Sequence, residues 1–351
     1  ILTGDDIGDE VVPPSVEVAR AAAARHGLGI DWRPMPIGRA ALDSHNSTMP
    51  AGTLDALGRM DGFILGPIGH REYPKVPQAI NPHPILRKHF NLFANVRPTR
   101  SFPGLGALHE NVDLIIVREN NEGFQPDRNV VAGCGEFRPT EDVTISVRVI
   151  TRAGSARVAR AAFEIARTRS KRLTTVHKNT VFKLGCGMFV EECYKVAKEF
   201  PDVTLDEVIV DTFAMRLVRD PQSFDVVVTT NMFGDILTDE AAGLVGGLGM
   251  APGLCIGEGN IAMAQATHGS APDIAGKGIA NPYAMIESTR MMFEWLGHNR
   301  GIKPAVDAAA AMKRGIERAL SDPATRTKDI PGTGGTNDMT RAIVAAIETE
   351  K

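Results

Sequence analysis

Asp235 and Asp239 stand four residues apart in Asn231-Met232-Phe233-Gly234-Asp235-Ile236-Leu237-Thr238-Asp239, directly after the β-branched run Val226-Val227-Val228-Thr229-Thr230. With Gly234 read as a strand-to-helix turn, both carboxylates fall on one helical face. Like charges at that spacing cost an isolated helix about 0.2–0.5 kcal/mol, so a helix that keeps both either solvates them or neutralises them with a cation. Paired hard oxygens suit Mg²⁺ or Mn²⁺ better than zinc. The competing reading is a solvated helix start, where acids are favoured by the dipole. A second candidate runs from His268-Gly269-Ser270-Ala271-Pro272-Asp273-Ile274 to Asn281-Pro282. Its small residues let backbone donors approach a phosphate or ribose closely. The same segment also reads as a surface turn before a helix capped by Asn281, with Pro282 in the first turn. The two readings are compatible.

The elements that must position these residues alternate along the chain. Short β-branched runs at Phe63 to Leu65, Leu114 to Val117, Thr144 to Val147 and Asp225 to Thr229 predict strands. Apolar residues at three-to-four spacing predict helices over Val11 to His26, Ala153 to Thr168, Gly187 to Phe200, Pro282 to Leu296 and Pro304 to Leu320. That alternation is the pattern of an α/β protein with strands covered on both faces. A length of 351 residues exceeds the usual single core, which implies two lobes. The glycine cluster Gly243 to Gly249 follows no strand with a glycine at the proper turn, so a Rossmann dinucleotide site is rejected there.

Charge is nearly balanced, with 39 basic against 42 acidic residues, and no basic stripe alternates with aromatics; nucleic acid is therefore not an expected partner. No apolar run reaches membrane-spanning length. Cys134, Cys186, Cys193 and Cys255 form no CxxC pair, so they read as reduced thiols and place the protein in the cytoplasm.

Asn231 to Asp239 and the His268 loop together closely resemble the β-decarboxylating dehydrogenases, the isocitrate, isopropylmalate, homoisocitrate and tartrate dehydrogenase family. The resemblance begins at Gly4-Asp5-Asp6-Ile7-Gly8-Asp9-Glu10, like the family's GDGIGPE, and ends at Gly332-Thr333-Gly334-Gly335-Thr336. It implies a non-Rossmann α/β/α two-lobe fold: residues 1–95 with 247–351 form a cofactor-binding lobe, and 96–246 form a central lobe with a dimer interface. It also implies an enzyme that oxidises a hydroxy-diacid. Asp235 and Asp239 then correspond to metal ligands from one subunit, and Asp211 to a ligand from the other. Lys178 corresponds to the catalytic lysine, also given across the dimer, which with Asp211 completes the catalytic set. Arg87, Arg97 and Arg118 fall at the positions that hold substrate carboxylates, for which a planar guanidinium fork is suited. His268, Gly269, Ser270, Ala271, Asp273, Ile274 and Asn281 fall in the cofactor loop. Asp273 matches the residue that accepts the adenosine ribose hydroxyls, so the expected cofactor is NAD; a carboxylate there would repel the 2′-phosphate of NADP.

Three departures from the family matter. Its REN-x-E-x-x-Y pattern ends in a tyrosine thought to protonate the carbon left by CO₂, whereas here Gln125 occupies that position. Either another group finishes the reaction, or the substrate is oxidised without decarboxylation, as by a tartrate-like enzyme. Thr180 stands where the family has asparagine, with Asn179 adjacent. Finally, isopropylmalate enzymes place leucines three and four residues before the first arginine, and isocitrate enzymes place serine and asparagine six and four before it. Here the positions hold Pro84, His83 and Asn81. The prolines should remodel the start of that helix. A site containing His83 and Asn81 suits a polar or small substituent rather than isopropyl. A non-catalytic regulatory subunit is the alternative of another class, but such subunits tend to lose the metal carboxylates or the lysine, all of which are present here.

Overall fold

The computed structural model describes residues 1–124, 133–259 and 261–349. Gln125 lies outside the described residues. The strands are β1 (Gly62–Ile64), β2 (Ala94–Arg100), β3 (Asp113–Glu119), β4 (Glu136–Thr140), β5 (Val143–Ser146), β6 (Arg172–His177), β7 (Thr204–Ile209), β8 (Val226–Thr229), β9 (Leu254–Ile256) and β10 (Ala262–Ala264). The helices are α1 (Gly8–Arg25), α2 (Gly38–His45), α3 (Thr53–Leu57), α4 (Pro82–His89), α5 (Arg152–Arg167), α6 (Gly185–Ala197), α7 (Val210–Arg219), α8 (Asn231–Val245), α9 (Tyr283–Arg300), α10 (Lys303–Ser321) and α11 (Thr336–Thr349).

Among the described residues, eight strands form one sheet in the order β1-β10-β9-β2-β3-β8-β6-β7. The β3-β8-β6-β7 end is parallel, as is the β1-β10 pair at the other edge, while β10-β9, β9-β2 and β2-β3 pair antiparallel. The fold is therefore the expected α/β class, with a mixed sheet. Strand β8 is buried along its whole length, as a strand covered on both faces should be. The main core gathers Val11, Val12, Leu114, Ile116, Phe163, Phe189, Val226, Val228 and Met312 from the sheet and the helices over it.

Two local expectations resolve differently. The run Thr144 to Val147 does contain a strand, β5, but it pairs with β4 in a separate hairpin exposed along its length. A β-branched run fixes the extended backbone but not the partner. Pro82 and Pro84 sit in the first turn of α4, where a missing N–H costs nothing because no helical acceptor exists there; Asn81 Oδ1 accepts from His83 N at 3.1 Å and caps it. The prolines thus begin the helix. The rejected glycine motif is the end of α8: Gly246 and Gly247 take positive φ values of 132° and 92° as the chain leaves the helix.

Candidate active site

Strands β2 and β3 pair antiparallel with Asn95 opposite Arg118. Asn95 and Arg97, two residues apart, share a sheet face, and the register puts Arg118 on that face as well. Helix α8, which follows β8 after the extended Thr230, packs across both strands. Arg118 donates to Asn231 Oδ1 at 2.7 Å and also to Asp235. Arg97 donates to Thr238 Oγ1 at 2.5 Å and lies 3.6 Å from Asp235 and 3.7 Å from Asp239. The guanidinium side chains are 8% and 5% exposed, against 56% and 55% for the two carboxylates, so the cations are buried and the acids face outward.

Burying a guanidinium is costly unless it is paired, which accounts for the closeness of the acids. Burial lowers the pKa of Arg97, and the positive charge of Arg87 adds to this, while Asp235 and Asp239 oppose it. Burial also raises the pKa of Asp239, with the neighbouring Asp235 acting in the same direction and Arg97 against it. The sequence placed a turn at Gly234; the structure places this glycine inside α8. Its function there is clearance: a Cβ would lie 2.6 Å from Arg118 Cγ.

Arg87, on α4, donates to Gln265 Oε1 at 3.1 Å, and the Gln265 amide nitrogen meets His83 Nε2. Arg87 Nε is buried with no partner among the described residues. The carbonyl oxygen of Asn81 is committed to the helix cap, as described above.

Lys178 follows β6 and Asp211 opens α7 after β7. They pair with each other at 2.6 Å rather than joining Asp235 and Asp239, and the lysine holds the Asp211 carboxyl below its usual range. Among the described residues, no three acids, histidines or cysteines of the chain are grouped so as to hold a metal ion.

The second candidate loop leaves β10 through Gln265. Ala271 takes a positive φ of 42°, and Asp273 is exposed, while Ile274 packs on the core. Gly269, Gly276 and Gly278 each face open space where a Cβ would be. His268 turns Nδ1 to Gly269 O at 3.0 Å; its Nε2 is buried without a partner among the described residues, and desolvation lowers its pKa. Ser270 O accepts from Ile7 N at 3.1 Å, which ties the loop to the Gly4–Glu10 segment. Asn281 stands one residue before the N-cap of α9, which is Pro282 rather than the asparagine; its Oδ1 accepts from Tyr283 N at 3.0 Å and its Nδ2 donates to Asp329 at 3.0 Å.

Four polar partners escaped the sequence reading. Asn231 lies four residues before Asp235 and Thr238 three after it, so helical spacing could have placed them on the same face. Asn95 accepts from Arg97 Nε at 3.4 Å, two residues on, whereas Gln265 is joined to the site only by long-range contacts and carried no local signal.

The family model for isocitrate/isopropylmalate dehydrogenase matches residues 1–343. The 3-isopropylmalate dehydrogenase of Archaeoglobus fulgidus is 36% identical, over 99% of this chain and 98% of its own length. The isocitrate/homoisocitrate dehydrogenase of Thermus thermophilus is 38% identical, with the same coverage of 99% and 98%. Among solved structures, isocitrate dehydrogenase from Methylococcus capsulatus superposes with a TM-score of 0.87 at 39% identity, covering 99% of this chain and 98% of that one. The chain belongs to the isocitrate/isopropylmalate dehydrogenase family.

Proposed function

We propose that this chain oxidises the hydroxyl of a malate-like 2-hydroxy diacid with a polar or small substituent, using NAD and Mg²⁺ or Mn²⁺, as a cytoplasmic homodimer. The observation that carries this reading is the contact between two buried arginines and two outward-facing carboxylates, Arg97 and Arg118 against Asp235 and Asp239. Each set is the counter-ion of the other. Transfer of the acids to a divalent cation leaves the arginine forks for the carboxylates of a diacid, and the local charge balance is kept.

Asp235 and Asp239 fit such an ion through their hard oxygens, partial exposure and common helical face, and they leave its shell open. The third carboxylate, Asp211, is paired with Lys178 elsewhere on the chain. A second copy supplying Asp211 and Lys178 completes the shell, with Lys178 handling the hydroxyl proton. Exposed apolar side chains at Met215 and Val218 on α7 and Met232 and Ile236 on α8 support such a pairing, since they adjoin these residues in sequence and lack cover in one chain. The two-lobe division, 1–95 with 247–351 against 96–246, belongs to the same reading. It is supported by the sheet order, in which β1, β10 and β9 come from the outer segments and β3, β8, β6 and β7 from the central one.

When bound, NAD supplies the hydride acceptor and the cation polarises the substrate hydroxyl. The open glycines of the 268–278 loop permit close approach of a dinucleotide. The exposed Asp273 offers a carboxylate to ribose hydroxyls and repels a 2′-phosphate. Arg87, Arg97 and Arg118 orient the diacid. In the main reading oxidation is followed by loss of CO₂. A second reading ends at the oxo-diacid, and it is favoured by Gln125, an amide that cannot protonate a carbanion as a phenol does.

The test is a panel of malate, tartrate, isocitrate, homoisocitrate and isopropylmalate with Mn²⁺ and either NAD or NADP, with reduced cofactor and CO₂ scored separately. Turnover of a polar or unsubstituted diacid with NAD supports the proposal, and the CO₂ stoichiometry separates its two readings. No turnover on any of them would favour a regulatory subunit, while preference for isopropylmalate would overturn the substrate assignment.

A further inference from the structure

Gln265 is 7% exposed and ties together two side chains from another segment, Arg87 and His83 of α4. Its amide orientation is fixed by chemistry. A guanidinium can only donate, so the oxygen must face Arg87 and the NH₂ must face His83. The ring nitrogen that receives this NH₂ must then be an acceptor. His83 is thereby held as a neutral imidazole with its proton on Nδ1. Reversing the amide would suit an N–H at Nε2 but would set NH₂ against the guanidinium.

We propose that Gln265 is a positioning residue that sets Arg87 for the substrate carboxylate and locks His83 in its Nδ1–H tautomer. This makes the subsite polar and selects diacids whose third carbon carries a hydroxyl or carboxylate over those carrying a branched alkyl group. The substrate part rests on the function proposed above; the tautomer part does not. Arg87 acts on the electrostatics of the main cluster, since its charge depresses Arg97, so its placement bears on how the arginine group receives an anion. A buried amide bonded at both its oxygen and its nitrogen also disfavours an isopropyl group, because an apolar neighbour that disturbed the bridge would leave polar atoms unpaired. The bridge begins at the residue that leaves β10 for the 268–273 loop, and Gln265 N is itself fixed to Gly253 O at 3.0 Å, so the amide is mounted on the sheet.

The experiment uses the full chain with ¹⁵N-labelled histidine, where the resonance missing from His83→Asn identifies His83. The unmodified protein should show one protonated and one acceptor nitrogen, with the proton on Nδ1. Gln265→Leu should raise the Nε2–H share of this ring above that of the unmodified protein. Gln265→Glu, which offers only acceptors, should bring an N–H to Nε2 while retaining the hold on Arg87. In kinetics, Gln265→Leu should raise KM for the preferred diacid roughly tenfold or more, as expected for losing a hydrogen bond to a charged group, while kcat changes far less. Its preference for polar over alkyl substituents should fall, and Gln265→Glu should recover most of the KM loss. A His83 proton on Nε2 in the unmodified protein, or a tautomer and selectivity unchanged in Gln265→Leu, would overturn the proposal. If Gln265→Leu fails to fold, the Gln265→Glu spectrum decides the tautomer claim. If no diacid is turned over while the tautomers behave as stated, the functional reading fails and the bridge stands.

Discussion

A methyl group added at Gly234 should separate the packing of α8 from its chemistry. Alanine in a helix interior ordinarily stabilises by about 0.5–1 kcal/mol relative to glycine. At Gly234 the new Cβ would lie 2.6 Å from Cγ and 2.7 Å from Cβ of Arg118, nearly 1 Å inside an ordinary contact. Those atoms are the root of the side chain, so relief requires β3 to shift against α8 or the guanidinium to leave Asn231 and Asp235. Overpacking of this kind costs about 1–3 kcal/mol. The same helix carries its own control, because a Cβ at Gly243 meets nothing within 4 Å. Gly243→Ala should therefore be slightly stabilised, and Gly234→Ala should lie about 1–3 kcal/mol below it in denaturant unfolding. With Arg118 displaced, a charged hydrogen bond worth about 1.5–3 kcal/mol is lost, equivalent to roughly a 10- to 100-fold rise in KM for the diacid. If Gly234→Ala is as stable as Gly243→Ala and binds the diacid unchanged, the close packing of Arg118 under α8 is not what orients it.

Three further outcomes follow from other parts of the molecule. Asp273→Lys combined with Ile274→Tyr should narrow or reverse the preference for NAD over NADP, measured as the ratio of kcat/KM values; equal use of both cofactors by the unmodified enzyme would contradict the role of Asp273. Glu119, 2% exposed, has its pKa pushed up to about 7 by burial, so the folded chain keeps a proton that the unfolded chain gives up near pH 4.5. The stability from this group is complete below about pH 4.5 and declines by roughly 3 kcal/mol at most as the pH rises to about 7; Glu119→Gln should flatten that part of the stability profile, and an unaltered slope between pH 5 and 7 would refute the assignment. Mixing inactive Lys178→Ala with inactive Asp235→Asn under conditions that exchange subunits should restore part of the activity, because hybrid dimers contain one intact site; no recovery, with exchange demonstrated independently, would count against a shared site.

The helical face of Asp235 and Asp239 was legible because it depends on local spacing alone. The strands at Leu114 to Val117 and Asp225 to Thr229 were legible for the same reason: a buried strand needs a continuous β-branched run. Arg97 and Arg118 could be singled out only through family resemblance, since nothing local says that Asn95 pairs opposite Arg118 and brings both arginines to one face. Gly234 was misread because a glycine after a strand usually marks a turn, whereas its role depends on a side chain 116 positions earlier in the chain. Gln265 was invisible on similar grounds. Its partners belong to α4, and a lone glutamine in a small-residue stretch has no periodicity to betray it. Asn81 and Asn281 show the reverse, for each accepts at a helix start from the backbone N–H two residues on, a local contact that the neighbouring prolines signalled.

The most direct test of the central claim is Mn²⁺ binding, followed by electron paramagnetic resonance, on the unmodified enzyme, Asp235→Asn and Asp239→Asn, with NADH formation recorded on the same samples. Each substitution removes one charge from a site dominated by charge, so Mn²⁺ affinity should fall at least about tenfold and turnover should fall with it. The unmodified enzyme should be silent in excess chelator and recover when Mn²⁺ is returned. Full turnover in excess chelator, or unchanged Mn²⁺ affinity in both variants, would contradict the assignment of Asp235 and Asp239 as the carboxylates that hold the ion.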